Sequence, residues 1–121
     1  MGKKILIVED EKAIANALTL KLRSAGFEIF LAQDGETAVS TLQKFPFDLI
    51  ILDLILPKKD GFFVLEEIKK LKIPTPVIVA SNLGQKEDIN LAKELGAKDY
   101  IIKAEITLAE ITEKVKKILG L

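Results

Sequence analysis

The chain has 121 residues, with 18 Lys+Arg against 18 Asp+Glu, 49% hydrophobic residues, and no His, Cys or Trp. That length fits one domain, expected over residues 1–121, with enough apolar side chains to fill a core. The missing residue types exclude disulfides, thiolate nucleophiles, Cys or His metal ligands and an imidazole base, and the balanced charge speaks against a general nucleic-acid binder.

Short β-type runs and helix-period stretches alternate along the chain. The first run is Ile5–Val8, followed by Ile14, Leu18, Leu22 and Ala25 at helical spacing and a stop at Gly26. Glu28–Ala32 is the second run, more polar and therefore an expected edge strand. Ala38, Val39 and Leu42 mark a second helix, ended before Pro46. Leu49–Leu52 has no polar alternation, which predicts a central strand covered on both faces. Val64, Leu65, Ile68 and Leu71 predict a third helix, ended before Pro74. Val77–Ala80 follows, then Ile89, Ala92 and Leu95, closed by Gly96. Tyr100–Ile102 is the fifth run, and Leu108, Ile111, Val115 and Ile118 mark the last helix, closed by Gly120. Strict alternation of strand and helix predicts a parallel α/β sheet. No apolar stretch reaches the roughly 20 residues of a membrane span, and no signal peptide pattern appears, so a cytoplasmic location is the expectation.

In open α/β sheets the binding crevice lies at the carboxyl ends of the strands. Four runs there end in polar residues: Glu9-Asp10-Glu11 after the first, Asp53 after the third, Ser81 after the fourth and Lys103 after the fifth. Asp53 interrupts an aliphatic run, where a carboxylate is costly unless paired, hydrogen-bonded or bound to a metal. A helix N-cap is the plain alternative, but Pro57 and Asp60-Gly61 put the next turn further on. Glu9 and Asp10 also have an ordinary reading, as acidic residues complementing a helix dipole. Lys103 alone reads as a surface lysine, and Ser81 alone as a turn residue. Taken together, with the first and third strands adjacent as at a flavodoxin-like switch point, three carboxylates converge and need a cation. Hard oxygen ligands suit Mg²⁺. A carboxylate nucleophile with Mg²⁺, an ammonium and a hydroxyl would make a phosphoryl-transfer site whose product is an aspartyl phosphate.

The motifs Ile-Leu-Ile-Val-Glu-Asp-Glu at 5–11, Leu-Ile-Ile-Leu-Asp-Leu-Ile-Leu-Pro-Lys-Lys-Asp-Gly at 49–61, Pro-Val-Ile-Val-Ala-Ser at 76–81 and Gly-Ala-Lys-Asp-Tyr-Ile-Ile-Lys at 96–103 occur in order. With them the chain resembles a response-regulator receiver domain of two-component signalling, of the chemotaxis-regulator type. The resemblance implies a flavodoxin-like (βα)5 doubly wound sheet, strand order 2-1-3-4-5, in a three-layer sandwich. It implies Asp53 as phosphoacceptor, Asp10 as a direct Mg²⁺ ligand, Glu9 acting through water, and the Ile55 carbonyl as a further ligand. Ser81 and Lys103 would contact the phosphoryl group, and Tyr100 would turn inward with Ser81. The implied donor is a sensor histidine kinase, a histidine phosphotransfer protein or a small phosphodonor. Such a domain modifies only its own Asp and is not otherwise an enzyme. Its readout surface, and the place for a homodimer, would be the fourth helix, fifth strand and fifth helix, where Lys93, Lys98, Lys114 and Lys117 are expected to be exposed. Neither direct nucleic-acid binding nor membrane binding is implied.

Two departures stand out. The family usually has Pro after the lysine, with a cis peptide; here it is Ala104, and a cis non-proline bond costs about 3–4 kcal/mol. Two residues beyond Asp53 and Ser81 stand Ile55 and Leu83, both apolar, which predicts slow self-dephosphorylation. Three other readings fit parts of the pattern. An aspartate-nucleophile phosphatase of the haloacid-dehalogenase type needs a second Asp at position 55, which is Ile55. A nucleotide-binding module needs a Gly-rich phosphate loop where Glu9-Asp10-Glu11 stands. A receiver-like module inert to phosphorylation is disfavoured by the complete set of Asp10, Asp53, Ser81 and Lys103.

Overall fold

The computed structural model describes residues 2–121. The elements run β1 (Lys4–Val8), α1 (Lys12–Ser24), β2 (Glu28–Ala32), α2 (Gly35–Lys44), β3 (Leu49–Leu52), α3 (Gly61–Lys70), β4 (Val77–Ser81), α4 (Lys86–Glu94), β5 (Asp99–Ile102) and α5 (Leu108–Leu119), with a 3-10 turn at Lys103–Glu105 before α5. All strands are parallel, in the order β2-β1-β3-β4-β5. The expected edge strand β2 lies at the edge, and the uninterrupted apolar run of β3 lies in the centre, every residue of it buried.

Alternation along the strands sorts the core into two layers, because successive side chains point to opposite faces. Leu6, Val8, Ile50, Leu52, Val77 and Val79 face one way, against Ala38 and Leu42 of α2, Val64, Leu65 and Ile68 of α3, and Ala92 of α4. Ile5, Ile7, Leu49, Ile51, Ile78 and Ala80 face the other, against Leu18 and Leu22 of α1 and Ile111 and Val115 of α5. The sheet is therefore the middle of three layers, and burial of both its faces explains why β1, β3 and β4 carry almost no polar side chains.

Helix ends follow local chemistry. Asp34 caps α2 through Thr37 N–H at 2.7 Å, and Asp60 caps α3 through Phe63 N–H at 3.0 Å. Thr107 and Glu110 form a reciprocal capping box at α5. The glycines expected to stop helices, Gly26, Gly96 and Gly120, stand just beyond α1, α4 and α5 with positive φ. Helix α2 stops at Lys44 and α3 at Lys70, short of the prolines that bar continuation. Among the described residues, no helix is long and apolar enough to cross a membrane.

Two expectations need correcting. β5 closes at Ile102, so Lys103 opens the 3-10 turn rather than ending the strand. Lys114 is not a free surface lysine. It is half-buried and pairs with Asp99 at 3.1 Å, a short reach from α5 to β5.

Candidate functional site

Val8 pairs in register with Leu52, so Glu9 and Asp53 leave neighbouring strands at the same edge of the sheet. Backbone bonds extend this alignment one residue beyond the strands: Asp53 N–H donates to the Val8 carbonyl and Glu9 N–H to the Ala32 carbonyl, both at 3.0 Å. Both carboxylates are sunk in the fold, at 3% exposure for Glu9 and 4% for Asp53, while Asp10 is exposed. Glu9, Asp10 and Asp53 each present an oxygen within 4.8 Å of the others.

Lys103 reaches into this acidic group from the other side. Its Nζ lies 2.7 Å from Glu9 Oε1 and 2.8 Å from Asp53 Oδ2. The remaining carboxylate oxygens are also engaged: Glu9 Oε2 accepts from Glu11 N–H at 3.1 Å and Asp53 Oδ1 from Ile55 N–H at 3.1 Å. Burial pushes the Glu9 carboxyl above 4.5, and the opposing bonds from Lys103 and Glu11 only partly offset it. For Lys103 burial alone pulls the ammonium down, but the bonds to Asp53 and Glu9 together outweigh it and leave the pKa above 10.5. The lysine is therefore charged at neutral pH. The Lys103–Ala104 peptide is trans, and Lys103 nevertheless points inward.

Asp10, Glu11, Asp53, Ile55, Asn82 and Lys103 line a cleft of about 130 Å³. Four of these six were singled out from the sequence. Glu11 and Asn82 were not given roles, although each directly follows a residue that was. Ser81 is fully buried beside the cleft and is not among its lining residues; its Oγ accepts from Leu83 N–H at 3.4 Å. Tyr100 is half-buried, packs on the α2–α4 side of the sheet, and its hydroxyl donates to the Leu83 carbonyl. Burial, then the negative charges of Asp88 and Asp53, push that hydroxyl above 10.0. Leu83 therefore touches both Ser81 and Tyr100 through its backbone.

Close backbone approaches fix the loop after β3. A Cβ on Gly61 would lie 2.4 Å from the Asp53 carbonyl oxygen, and one on Gly35 would lie 2.0 Å from that of Lys59. Gly35 N–H and Glu36 N–H, at the start of α2, donate to the carbonyls of Pro57 and Lys58 at 3.4 and 3.1 Å. In the same loop Lys58 and Lys59 have φ of +47° and +82°, a conformation that non-glycine residues rarely adopt.

The profile of the response regulator receiver domain matches residues 5–116. The chain belongs to the response regulator receiver domain family. Phosphorylation by a histidine kinase is the general function of this family. This receiver domain is 37% identical over 119 residues to the alkaline phosphatase synthesis transcriptional regulatory protein PhoP of Bacillus subtilis (strain 168), covering 98% of this chain and 49% of that protein. The chain thus spans about half the length of this curated relative. It superposes with a TM-score of 0.93 on a CheY-like receiver domain protein of Methanospirillum hungatei JF-1, at 28% identity, covering 99% of this chain and 95% of that one. A TM-score of 0.90 at 28% identity, covering 100% of both chains, relates it to the receiver domain of the sensor histidine kinase PA1611 of Pseudomonas aeruginosa PAO1. That structure has a magnesium ion coordinated in its active-site cleft. The expected sheet order and architecture agree with these neighbours.

Proposed function

We propose that residues 1–121 form a single receiver domain that takes a phosphoryl group onto Asp53 from a sensor histidine kinase or a histidine phosphotransfer protein. The observation that carries this is the buried Asp53 carboxylate held between Lys103 Nζ at 2.8 Å and Ile55 N–H at 3.1 Å, facing an open cleft. An Asp53 oxygen forms the new O–P bond while the P–N bond of the donor phosphohistidine breaks, and the imidazole nitrogen keeps that electron pair and takes up a proton. Lys103 stays charged and sits where negative charge on the transferring group develops. Ser81 Oγ accepts from Leu83 N–H, which leaves its hydroxyl proton available to donate to the phosphoryl group.

The donor set fits Mg²⁺, a hard cation that keeps several waters. Asp10 is exposed and would bind directly, as would Asp53 and the Ile55 carbonyl. Both Glu9 oxygens are already engaged by Lys103 and Glu11, which suits a contact through water. Bound there, Mg²⁺ would neutralise phosphoryl oxygens during transfer. The domain acts on its own Asp53 and turns over no other substrate. It works in the cytoplasm, and phosphorylation draws in Ser81 with Tyr100 to change the α4–β5–α5 surface.

Acetyl phosphate with Mg²⁺, read by intact mass, tests the reading. One phosphoryl group should add to the wild type and none to Asp53→Asn. An unmodified wild type overturns it, and steady release of phosphate from a phosphoester points to a phosphatase instead. Ile55 is 54% exposed at the cleft and Leu83, two residues beyond Ser81, is half-buried against the core, and neither side chain can orient a water. The phosphorylated half-life should therefore extend well beyond seconds with Mg²⁺ present; loss within seconds refutes that part.

A further inference from the structure

The strand β5 ends at Ile102, which pairs in register with Ser81, and Lys103 opens the turn Lys103–Glu105. Such a turn starts with N–H groups that have no partner within it. The residue before it, Ile102, supplies no side-chain acceptor. The acceptor comes from the neighbouring loop: Asn82 Oδ1 accepts from Ala104 N–H at 3.0 Å. Asn82 stands one residue beyond Ser81, so the two loops leaving β4 and β5 are tied together immediately after their strands part. The backbone of Lys103 is thereby held on both sides, by sheet pairing at Ile102 and by Asn82 at Ala104. From that anchored position Nζ spans the cleft to Glu9 and Asp53. Among the described residues the Asn82 side chain makes no hydrogen bond to Asp53 or Lys103.

We infer that Asn82 is a positioning residue, which aims Lys103 at the reacting carboxylate by capping the turn at Ala104. This rests on the reading of Asp53 as phosphoacceptor. The bond exists only because residue 104 has an N–H; a proline there has none to donate. Because the bond is exposed, it adds little to stability, and its effect lies in geometry, where small displacements of a charged group cost rate.

The test uses Asn82→Ala, Asn82→Asp, and a backbone ester that replaces only the Ala104 N–H. Two quantities are read: the Lys103 ammonium resonance by ¹⁵N NMR, and the phosphorylation rate of Asp53 against acetyl phosphate concentration with Mg²⁺. Asn82→Ala and the ester should each move the Lys103 resonance and lower the maximal rate about tenfold, with little change in the half-saturating donor concentration. Combined, they should be no worse than either alone, and the thermal midpoint should hold. Asn82→Asp keeps the acceptor oxygen, so the Ala104 amide resonance should stay at its hydrogen-bonded position, while the added charge shifts the Lys103 resonance directly. In Asn82→Ala, an unmoved Lys103 resonance with an unchanged rate overturns the inference, and so does a rate loss that the ester does not share. If the wild type accepts no phosphoryl group, the phosphoacceptor reading falls, while the Lys103 resonance still decides the positioning role.

Discussion

The two loops that meet over Asp53 are built by different means. The loop after β3 is held by backbone against backbone: Gly35 and Gly61 admit carbonyls where a Cβ would collide, and α2 donates two N–H groups to Pro57 and Lys58. The turn after β5 is held by side chains: one amide of Asn82, the ion pairs of Lys103 and the capping box at Thr107. The first arrangement keeps Asp53 at a fixed place, with little tolerance for change. The second can give way when charge at the site changes, because each of its contacts is a single side chain with rotational freedom. On the proposed function, Asp53 is the stationary acceptor and Lys103 the adjustable cation.

The largest blow to the adjustable half is Lys103→Met. Breaking a buried ion pair from one side leaves Glu9 and Asp53 close together without a cation. Stability should fall by about 3 kcal/mol in urea unfolding at pH 7. The same variant should lower the phosphorylation rate by about 100-fold by intact mass. A variant that is stable and fast would mean that the lysine is not part of the machinery. Against the stationary half, Gly61→Ala forces a methyl to within 2.4 Å of the Asp53 carbonyl and 2.6 Å of Leu54 Cα. Backbone cannot step aside cheaply, so a loss of about 2 kcal/mol is expected even though Ala favours helices over Gly. An unchanged urea midpoint would show that this loop is as yielding as the other.

Smaller effects sharpen the contrast. Thr107→Ala removes one arm of the capping box and should cost about 1 kcal/mol, measured as a lower thermal midpoint. The bond from Thr107 N–H, first among its causes, holds Glu110 below 4.5. Its cap therefore supports α5 above pH 4.5 and is lost as pH falls through the lowered value, which the Glu110 carboxyl resonance should report. The sign reverses at alkaline pH. Lys103 is raised above 10.5 and Tyr100 above 10.0 in the fold, so both contribute stability below those values. That support is lost as pH rises through the folded values. Urea midpoints should decline above about pH 10, and less so in Lys103→Met. A flat profile would contradict the burial of Tyr100 and the bonds from Asp53 and Glu9 that hold Lys103 charged.

Much of this was legible in the chain itself. Short apolar runs and period-3.6 apolar patterns located the five strands and the five α-helices, because burial on one or both faces imposes those patterns, but they did not show the 3-10 turn at Lys103–Glu105. The β3 run announced its central position for the same reason, since it has no polar residue to offer water. Asp53 was visible because a carboxylate among aliphatic residues needs a reason. What could not be read locally is partnership. Nothing in Ile5–Val8 or Leu49–Leu52 says that β1 and β3 lie side by side, yet that pairing is what brings Glu9 beside Asp53. Ser81 was placed at the correct edge, but its buried hydroxyl bonds within its own loop, a detail of rotamer rather than pattern. Asn82 gave no signal at all, since an Asn after a strand is ordinary turn chemistry.

Lys103 draws the line most clearly. Its position after the fifth run, and the absence of His and Cys that leaves it among the few groups able to carry chemistry, follow from composition and order. Its aim does not. Ala104 left the path of the turn open, and the question was closed by a contact between residues 82 and 104, far apart in the chain. Periodic burial is a property of each segment and is written in its residues. The direction of one charged side chain depends on which distant groups the folded sheet brings within about 3 Å of it.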